Sequence, residues 1–356
     1  MRSARAGLKP GPTLGWSGRN HHSYSGEFQS SMLKFRIACS APIDQIALDI
    51  LQPVGEFIIA PDHGEASLIK VVKDADALIL RGGAIANDKV ILAGDRLKVI
   101  GRPGIGYESV DIETATARRI PVVYVPAAGA RAVAEGAATF IIALCKRIVQ
   151  WDHECKRGNW ESRYQSKPGD LDGATLGIVG LGNSGQVLAQ LMRPFNMRIL
   201  AYDPYASRHR ARDLGVELVS LEEMLPQSDF ISLHVPVTAE TRGVINSRTM
   251  KQIKRGACLI NIARGGLIES LDLLVEALQA GALAGVGLDV FEPEPPDFNH
   301  PLFQQPNCLT TPHALAMSTG AMFKVFKSMA EDVAAVLAGN RPRFVVNPEV
   351  FGHHQE

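Results

Sequence analysis

The chain carries no excess charge of either sign and no apolar run long enough to span a bilayer. Lys and Arg together number 37, as do Asp and Glu, so the formal net charge is zero. Because no overall basic field exists to attract nucleic acid, we expect no nucleic-acid partner. The most apolar stretch, residues 132–149, contains Glu135, Lys146 and Arg147, and its unbroken part is shorter than the roughly 20 residues that cross a membrane. We therefore expect no transmembrane segment and no membrane partner.

Cysteine is also scarce and has no pattern. The five residues are Cys39, Cys145, Cys155, Cys258 and Cys308. Their number is odd, none forms a CxxC pair, and their spacing from histidines is not that of a metal site. Free thiols in a reducing compartment fit this distribution, so we expect a cytoplasmic protein without a structural metal.

Residues 1–31 differ in composition from the rest of the chain. They are rich in Arg, Ser, Gly and His, and Glu27 is the only acid among them. Such a segment lacks the apolar periodicity of a packed element, and we expect it to be disordered. Two interpretations stay open: an organelle-targeting peptide, which is typically basic and poor in acids, or an upstream extension of the reading frame, which Met32 just before the first apolar run favours.

From residue 33 onward, apolar strand-like runs alternate with helical patterns, which predicts parallel sheets covered by helices. Two such series are present. The first comprises residues 35–38, 57–60, 77–80, 98–100 and 122–125, and the second comprises 175–179, a run around Ile199, 230–235, 258–262 and 286–290. At 356 residues the chain is long enough for two α/β domains.

Two long helical patterns predict how these domains are connected. One, over residues 131–151, leads from the first series to the second, and the other, over 315–338, returns the chain. We therefore expect a discontinuous first domain of residues 32–130 and 313–348, and a second domain of residues 131–312. Ser220 with Glu223 predicts a capping box in the second domain, and Ser270 predicts the start of a helix that ends at Gly281.

The sequence TLGIVGLGNSGQVLAQLMRPFNMRILAYD, residues 175–203, has the layout of a dinucleotide-binding unit. Gly180, Gly182 and Gly185 would permit, in turn, a tight turn, close approach of the backbone to a pyrophosphate, and close packing of helix on strand. Asp203 stands where a carboxylate binds the ribose hydroxyls and disfavours a 2′-phosphate. A lone GxGxxG is often an ordinary turn, but the strand, helix, second strand and spaced acid together predict binding of NAD rather than NADP.

Three further segments follow predicted strands and contain Arg264, Glu294 and His313. Ligands of open α/β sheets bind at such strand ends. Hydride transfer to a 2-keto acid needs a proton donor for the carbonyl oxygen, which suits His313, and a carboxylate such as Glu294 would orient that imidazole. Arg264 would hold the substrate carboxylate. Each residue taken alone has an ordinary structural explanation. The occurrence of all three in a chain that also has a cofactor motif favours catalysis.

These motifs resemble the D-2-hydroxyacid dehydrogenase family, which includes phosphoglycerate, glycerate and hydroxypyruvate or glyoxylate enzymes. GLGNSG with Asp203, HVPVTAET, NIARGGLIE, GVGLDVFEPEP and TPH occur in the family's order within residues 33–348. The resemblance implies a Rossmann-type doubly wound domain and a smaller flavodoxin-like substrate domain. It also implies catalytic roles for Arg264, Glu294 and His313, with Glu292 as the rival acid.

The same resemblance implies a set of binding residues. Asp289 is expected against the nicotinamide amide, and glycines after the first-domain strands are expected to approach the substrate carboxylate. The implied cofactor contacts are Ile105, Gly180, Gly182, Asn183, Ser184, Gly185, Asp203, Pro236, Thr241, Ala263, Asp289, His313 and Ala316. The implied substrate contacts are Arg81, Gly83, Arg102, Gly104 and Arg264.

Several alternatives stay open at this stage. Arg81 and Arg102 would suit a phosphorylated hydroxy acid, whereas glycerate or glyoxylate would need only one anion site. ALAMS after His313 and GYESVD at 106–111 depart from the usual family pattern, which affects the pocket wall. Proteins of this fold also serve as NAD(H)-sensing dimeric corepressor scaffolds, and formate or phosphite oxidation is less favoured. We expect a homodimer, with residues 132–145 either as its contact or as a buried interdomain helix.

Overall fold

The computed structural model describes residues 35–352 and contains two parallel sheets. The expected disorder of residues 1–31 and the interpretation of Met32 lie outside the described residues. The first sheet has the order β2-β1-β3-β4-β5, with β1 (Phe35–Cys39), β2 (Gly55–Ile59), β3 (Ala77–Ile79), β4 (Val99–Gly101) and β5 (Val122–Val123). The second has the order β12-β11-β10-β9-β6-β7-β8, with β6 (Thr175–Val179), β7 (Arg198–Tyr202), β8 (Glu217–Leu218), β9 (Phe230–Leu233), β10 (Ala257–Asn261), β11 (Leu283–Leu288) and β12 (Cys308–Thr310).

Helices cover both sheets, as the alternating sequence pattern predicts. The helices between consecutive strands of the first sheet are α1 (Gln45–Leu51), α2 (Glu65–Val72), α3 (Asp88–Ala93) and α4 (Ile112–Ala117). The remainder are α5 (Ala130–Lys146), α6 (Ile148–Lys156), α7 (Asn183–Met192), α8 (Arg208–Asp213), α9 (Leu221–Met224), α10 (Ser247–Met250), α11 (Leu271–Gln279) and α12 (Thr319–Leu337). None of these helices of the described chain is long and apolar enough to cross a membrane.

Burial of the central strands on both faces explains their unbroken apolar sequences. Ile37, Leu78 and Ile100 in the first sheet are fully buried, as are Ile178 and Ile260 in the second. Each such side chain contributes about 1.5–3 kcal/mol when it is removed from water. The edge strands of the second sheet, β8 and β12, have only two and three residues, which is too short for a periodic sequence signal.

The expected single helix over 131–151 is wrong in one respect. The chain forms two helices, because Arg147 between them adopts a left-handed backbone with φ 52° and ends α5. The expected helix over 315–338 begins later, at Thr319, since the Ser318 side chain accepts a hydrogen bond from Ala321 N and caps the helix there. The capping box of Ser220 and Glu223 is confirmed.

One apolar face of α5 is buried within the chain. Ala134, Ala137 and Ile141 are fully buried in a cluster with side chains of β6 and α7. Residues 132–145 therefore form a helix that is buried on this face, and their expected role in a homodimer contact stays a prediction.

After α12 the chain returns to the first sheet. The buried side chain of Asn347 accepts a hydrogen bond from Val122 N at 2.8 Å and donates one to Ile120 O at 2.9 Å. An antiparallel bridge between Val123 and Val345 lies beside it. The C-terminal segment is thus attached to the sheet formed by the first part of the chain, and both sheets belong to one compact unit. The bounds of two separate domains stay a prediction.

Candidate active site

The glycine turn lies at the carboxyl end of β6, where the second sheet reverses its strand order between β9 and β7. Ligands bind at such a switch point. Gly180 has φ 96° and leaves no room for a side chain against His234 and Val235. Gly185 lets α7 approach β6, since a Cβ there would collide with the carbonyl oxygen of Gly180. Gly182 differs from both, because among residues 35–352, apart from its own neighbours in the chain, no atom lies within 4 Å of the position that its Cβ would occupy.

This open space is where a dinucleotide would fit, and it allows a direct test. We expect Gly182→Val to change the melting temperature little, because the Cβ position is free and the φ of −76° is not in the left-handed region. The same variant should weaken NADH binding at least tenfold, because the valine fills the space through which a pyrophosphate would approach the backbone. Fluorescence titration with NADH and a thermal melt measure the two effects. A variant that binds NADH as tightly as the unchanged protein would contradict this placement of the cofactor.

Asp203, at the end of β7, is close to the glycine turn. Its two carboxylate oxygens accept hydrogen bonds from Leu181 N at 2.8 Å and Tyr205 N at 2.9 Å. Each oxygen keeps a second lone pair, so the carboxylate can still accept bonds from the two ribose hydroxyls. Asn183 at the start of α7 donates a bond to Pro126 O, 3.2 Å away, and thereby connects the glycine turn to the loop after β5.

The remaining predicted cofactor residues lie on loops at the same edge of the sheets. The Thr241 hydroxyl donates to Pro236 O at 2.6 Å and closes the turn that follows β9. Ala263 N donates to Asn261 Oδ1 at the end of β10. Ile105 is exposed on the loop after β4, and Ala316 is half-buried next to Leu315.

Asp289 has partners that the sequence does not indicate. Its side chain is 2% exposed, and its carboxylate accepts bonds from the Thr311 hydroxyl at 2.6 Å, Ala314 N at 2.8 Å and Leu315 N at 3.3 Å. These contacts fix the loop on both sides of His313, whose φ of 54° lies in the left-handed region. Asp289 therefore supports the histidine loop, and its expected contact with the nicotinamide amide stays a prediction.

His313 and Glu294 are in direct contact. The imidazole Nδ1 lies 2.8 Å from Glu294 Oε2, and the other oxygen, Oε1, accepts a bond from Phe291 N at 2.9 Å. An ionised carboxylate only accepts hydrogen bonds, so Nδ1 carries the proton in this contact. Within residues 35–352 the opposite nitrogen, Nε2, has no hydrogen-bond partner. Nε2 is thus available to a substrate.

The two candidate acids have different partners in the structure. Glu292 forms a bidentate ion pair with Arg242, with distances of 2.9 and 3.2 Å. Glu294, two residues further on, is the acid that contacts the imidazole. The choice of Glu294 over Glu292 therefore agrees with the geometry.

Arg264 lies at the same edge of the second sheet as the pair of His313 and Glu294. Asn261, Leu288 and Thr310 are in register at the ends of the neighbouring strands β10, β11 and β12. Arg264 follows the first of these strands by three residues, and His313 follows the last by three. The Arg264 guanidinium also reaches the loop after β4, where its Nε lies 3.0 Å from Glu108 Oε1. Arg264 thus contacts a loop of the first sheet.

The predicted substrate arginines have different surroundings. Arg102 is half-buried, its Nη1 donates to Leu80 O at 3.2 Å, and its Nε is without a partner among the described residues. Burial lowers the pKa of Arg102. Arg81 instead donates to Pro42 O and lies over the Phe326 ring, 5.2 Å from its centroid. Gly83 and Gly104 leave open space beside them.

Two residues of the site were not singled out by sequence reasoning. Glu108 stands within the unusual GYESVD segment, but its contact with a residue 156 positions away carries no local signal. His234 opens the HVPVTAET motif and lies between the hydroxyls of Ser232, at 2.9 Å from Nε2, and Ser184, at 3.0 Å from Nδ1. Burial lowers the pKa of His234 to about 4, so this imidazole stays neutral and serves as a hydrogen-bonding bridge to the glycine turn.

Comparison with known proteins agrees with this geometry. Residues 138–314 match the family described as D-isomer specific 2-hydroxyacid dehydrogenase, NAD binding domain. D-3-phosphoglycerate dehydrogenase of Methanocaldococcus jannaschii is 39% identical over 313 residues, which cover 88% of this chain and 59% of the relative. The chain thus spans somewhat more than half the length of that curated relative.

Solved structures extend the comparison to the whole fold. The TT0316 protein from Thermus thermophilus has a TM-score of 0.81 and 33% identity, over 87% of this chain and 99% of its own. D-Lactate dehydrogenase from Aquifex aeolicus, complexed with NAD and lactic acid, has a TM-score of 0.79 and 26% identity, over 88% and 99%. The chain belongs to the D-isomer specific 2-hydroxyacid dehydrogenase family. The expected fold class and the expected cofactor, NAD, are confirmed.

Proposed function

We propose that the chain is an NAD-dependent oxidoreductase that transfers hydride between the nicotinamide and C2 of a small D-2-hydroxy acid or 2-keto acid. The observation that carries this proposal is the contact of His313 with Glu294 at 2.8 Å, on the sheet edge that also presents Arg264 and the glycine turn. In the reducing direction, NADH supplies the hydride and His313 Nε2 supplies the proton to the carbonyl oxygen. The products are the 2-hydroxy acid and NAD⁺.

Each side chain has a separate task in this reaction. The oxygen of the keto group gains negative charge as hydride reaches C2, and a positioned acid that delivers a proton there typically contributes roughly 10²–10⁴-fold. Glu294 holds the imidazole through Nδ1. Arg264 binds the substrate carboxylate through its planar fork of donors, which also orients C2 toward the nicotinamide.

The substrate is proposed from the same site and from the relatives. The curated relatives at 34–39% identity are named D-3-phosphoglycerate dehydrogenases, which supports a phosphorylated acid bound by Arg81 and Arg102. Glycerate with hydroxypyruvate, or glyoxylate, would need only the carboxylate site of Arg264. Glyoxylate, hydroxypyruvate and phosphohydroxypyruvate, each tested with NADH and NADPH, separate these substrates. Failure of all three to oxidise either cofactor would contradict the proposed activity.

The preference for NAD depends on Asp203. We expect Asp203→Ala to raise the ratio of kcat/KM with NADPH to that with NADH by about tenfold, because removal of the carboxylate ends its repulsion of a 2′-phosphate. Steady-state rates with both cofactors measure this ratio. Asp213→Ala is a suitable control, because that acid lies on the exposed face of α8. An unaltered ratio in Asp203→Ala would remove the ribose-binding role.

We also propose that the chain forms a homodimer. Large apolar side chains are exposed on α6 and on the short helical turn at Trp160–Tyr164: Ile148, Val149, Trp160 and Tyr164 are 52–74% exposed. Covering such a patch would remove apolar surface from water. Sedimentation velocity distinguishes a dimer from a monomer.

A further inference from the structure

The ion pair between Glu108 and Arg264 joins the two sheets across the site. Glu108 lies on the loop between β4 and α4, and Arg264 follows β10. The Arg264 Nε is 3.0 Å from Glu108 Oε1, and Nη2 is 3.5 Å from Oε2, so the acid lies along one side of the guanidinium. Gly106 makes this approach possible, because a Cβ at that position would collide with Arg264 Nη2. The loop is therefore shaped around the arginine.

The charges in this cluster leave a net of +1. Glu108 interacts electrostatically with both Arg264 and Arg102, and the two arginines also act on each other. Burial alone would raise the pKa of Glu108, but the hydrogen bond from Arg264 and the charges of both arginines lower it overall. Glu108 is therefore ionised at neutral pH, and two cations share one fixed carboxylate. One further negative charge would neutralise the cluster.

The hydrogen-bond donors of Arg264 also indicate that the site takes one further anionic group. A guanidinium has five N–H donors. Two of them point to Glu108 and one, on Nη1, donates to Ala263 O at 2.8 Å. The two that remain are the number that a single carboxylate accepts in a bidentate pair. A second anionic group beside the first would have no donor of Arg264 left and would lie close to the Glu108 carboxylate.

We propose that Glu108 is a specificity-determining residue, which holds Arg264 from the side and adjusts the anion site for substrates with one negative charge next to the reacting carbon. This inference rests on the proposed function, because it assigns the carboxylate site of Arg264 to a 2-keto acid. Within that reaction, Glu108 disfavours acids that bear a second anion near C2. The repulsion between Glu108 and a phosphate further along a substrate would depend on the distance between the two groups.

Oxamate and oxalate make a matched pair of probes. They have the same arrangement of heavy atoms, but oxamate carries one negative charge at neutral pH and oxalate carries two. Their dissociation constants can be measured by fluorescence titration or calorimetry of the protein saturated with NADH, so no turnover is needed. The quantity of interest is the oxalate constant divided by the oxamate constant, because a general loss of Arg264 alignment cancels in this ratio.

We expect Glu108→Gln to lower this ratio about tenfold, since it removes a like charge a few ångströms from the second carboxylate. Glu108→Ala, a second neutral variant, should lower it likewise, whereas Glu108→Asp, which keeps the charge, should keep it within about threefold. Glu113→Gln removes an equal charge from an exposed position in α4 and should leave the ratio within about twofold. Raising the salt concentration should shrink the shift in the neutral variants.

An unchanged ratio in whichever neutral variant folds would overturn the role of Glu108, as would the absence of binding of both acids to the unchanged protein. These results are distinguishable from failure of the proposed function. If no 2-keto acid is reduced but the ratio still shifts, the dehydrogenase activity is contradicted while Glu108 retains its effect on the anion site. If a 2-keto acid is reduced and the ratio does not shift, the activity stands and the inference on Glu108 is wrong.

Discussion

Replacement of His313 with alanine is expected to lower kcat for 2-keto acid reduction by about 10³-fold. The imidazole contacts Glu294 through Nδ1 and presents Nε2 to the site, so alanine removes the only proton donor that we assign to the carbonyl oxygen. NADH binding should change less than about threefold, because the glycine turn and Asp203 lie on other strands. Stopped-flow or steady-state NADH oxidation and a fluorescence titration measure these two quantities on the same preparation.

A second histidine offers a matched control for this experiment. His209 pairs with Asp213 at 3.0 Å on the exposed surface of α8, so it reproduces a histidine–carboxylate pair away from the proposed chemistry. His209→Ala should retain full turnover. If His313→Ala retained more than a tenth of the original kcat, another group would have to supply the proton, and the assignment of His313 would be wrong.

Arg264→Lys is expected to lower kcat/KM by at least about 10²-fold, with a larger loss for Arg264→Ala. Lysine keeps the charge, but it cannot reproduce a planar fork that binds Glu108 and Ala263 O while it presents two further donors to a substrate. Misplacement of the substrate carboxylate also misaligns C2 for hydride transfer, and a displacement of about 1 Å can cost roughly 10²-fold. Steady-state kinetics with saturating NADH measure the loss.

Arg255→Lys supplies the control for the arginine substitution. Arg255 donates to Ala280 O at 2.7 Å near the beginning of β10, whereas Arg264 follows the end of that strand. The two substitutions thus make the same chemical change at opposite edges of the sheet. Equal kinetic effects in the two variants, or none in Arg264→Lys, would show that this guanidinium does not bind the substrate.

The parts of the fold that the sequence predicts well are those with local signals. Buried strands such as β6 and β9 are short apolar runs in the sequence, and the spacing of Gly180, Gly182 and Gly185 is itself a local signal of the turn. The capping box at Ser220 is of the same kind. By contrast, the break at Arg147 depends on a left-handed backbone that no local residue preference indicates.

The parts of the site that the sequence does not predict depend on contacts between distant segments. Arg264, Glu294 and His313 could be proposed because each stands just after a strand, and parallel strands end at one edge. The approach of Glu108 to Arg264 depends on how a first-sheet loop meets the second sheet. The use of Asp289 to hold the histidine loop and of His234 to bridge two serines depends on side-chain packing in the same way.

Transfer of deuterium from the cofactor to the substrate tests the central claim most directly. NADH deuterated at C4 would be incubated with the protein and, in turn, glyoxylate, hydroxypyruvate and phosphohydroxypyruvate, and mass spectrometry would locate the label in the hydroxy acid. We expect deuterium at C2 of at least one product, in proportion to the NADH consumed, and its loss in His313→Ala. Protein that binds deuterated NADH but transfers no label to any of these acids would contradict the dehydrogenase account and favour a nucleotide-sensing scaffold.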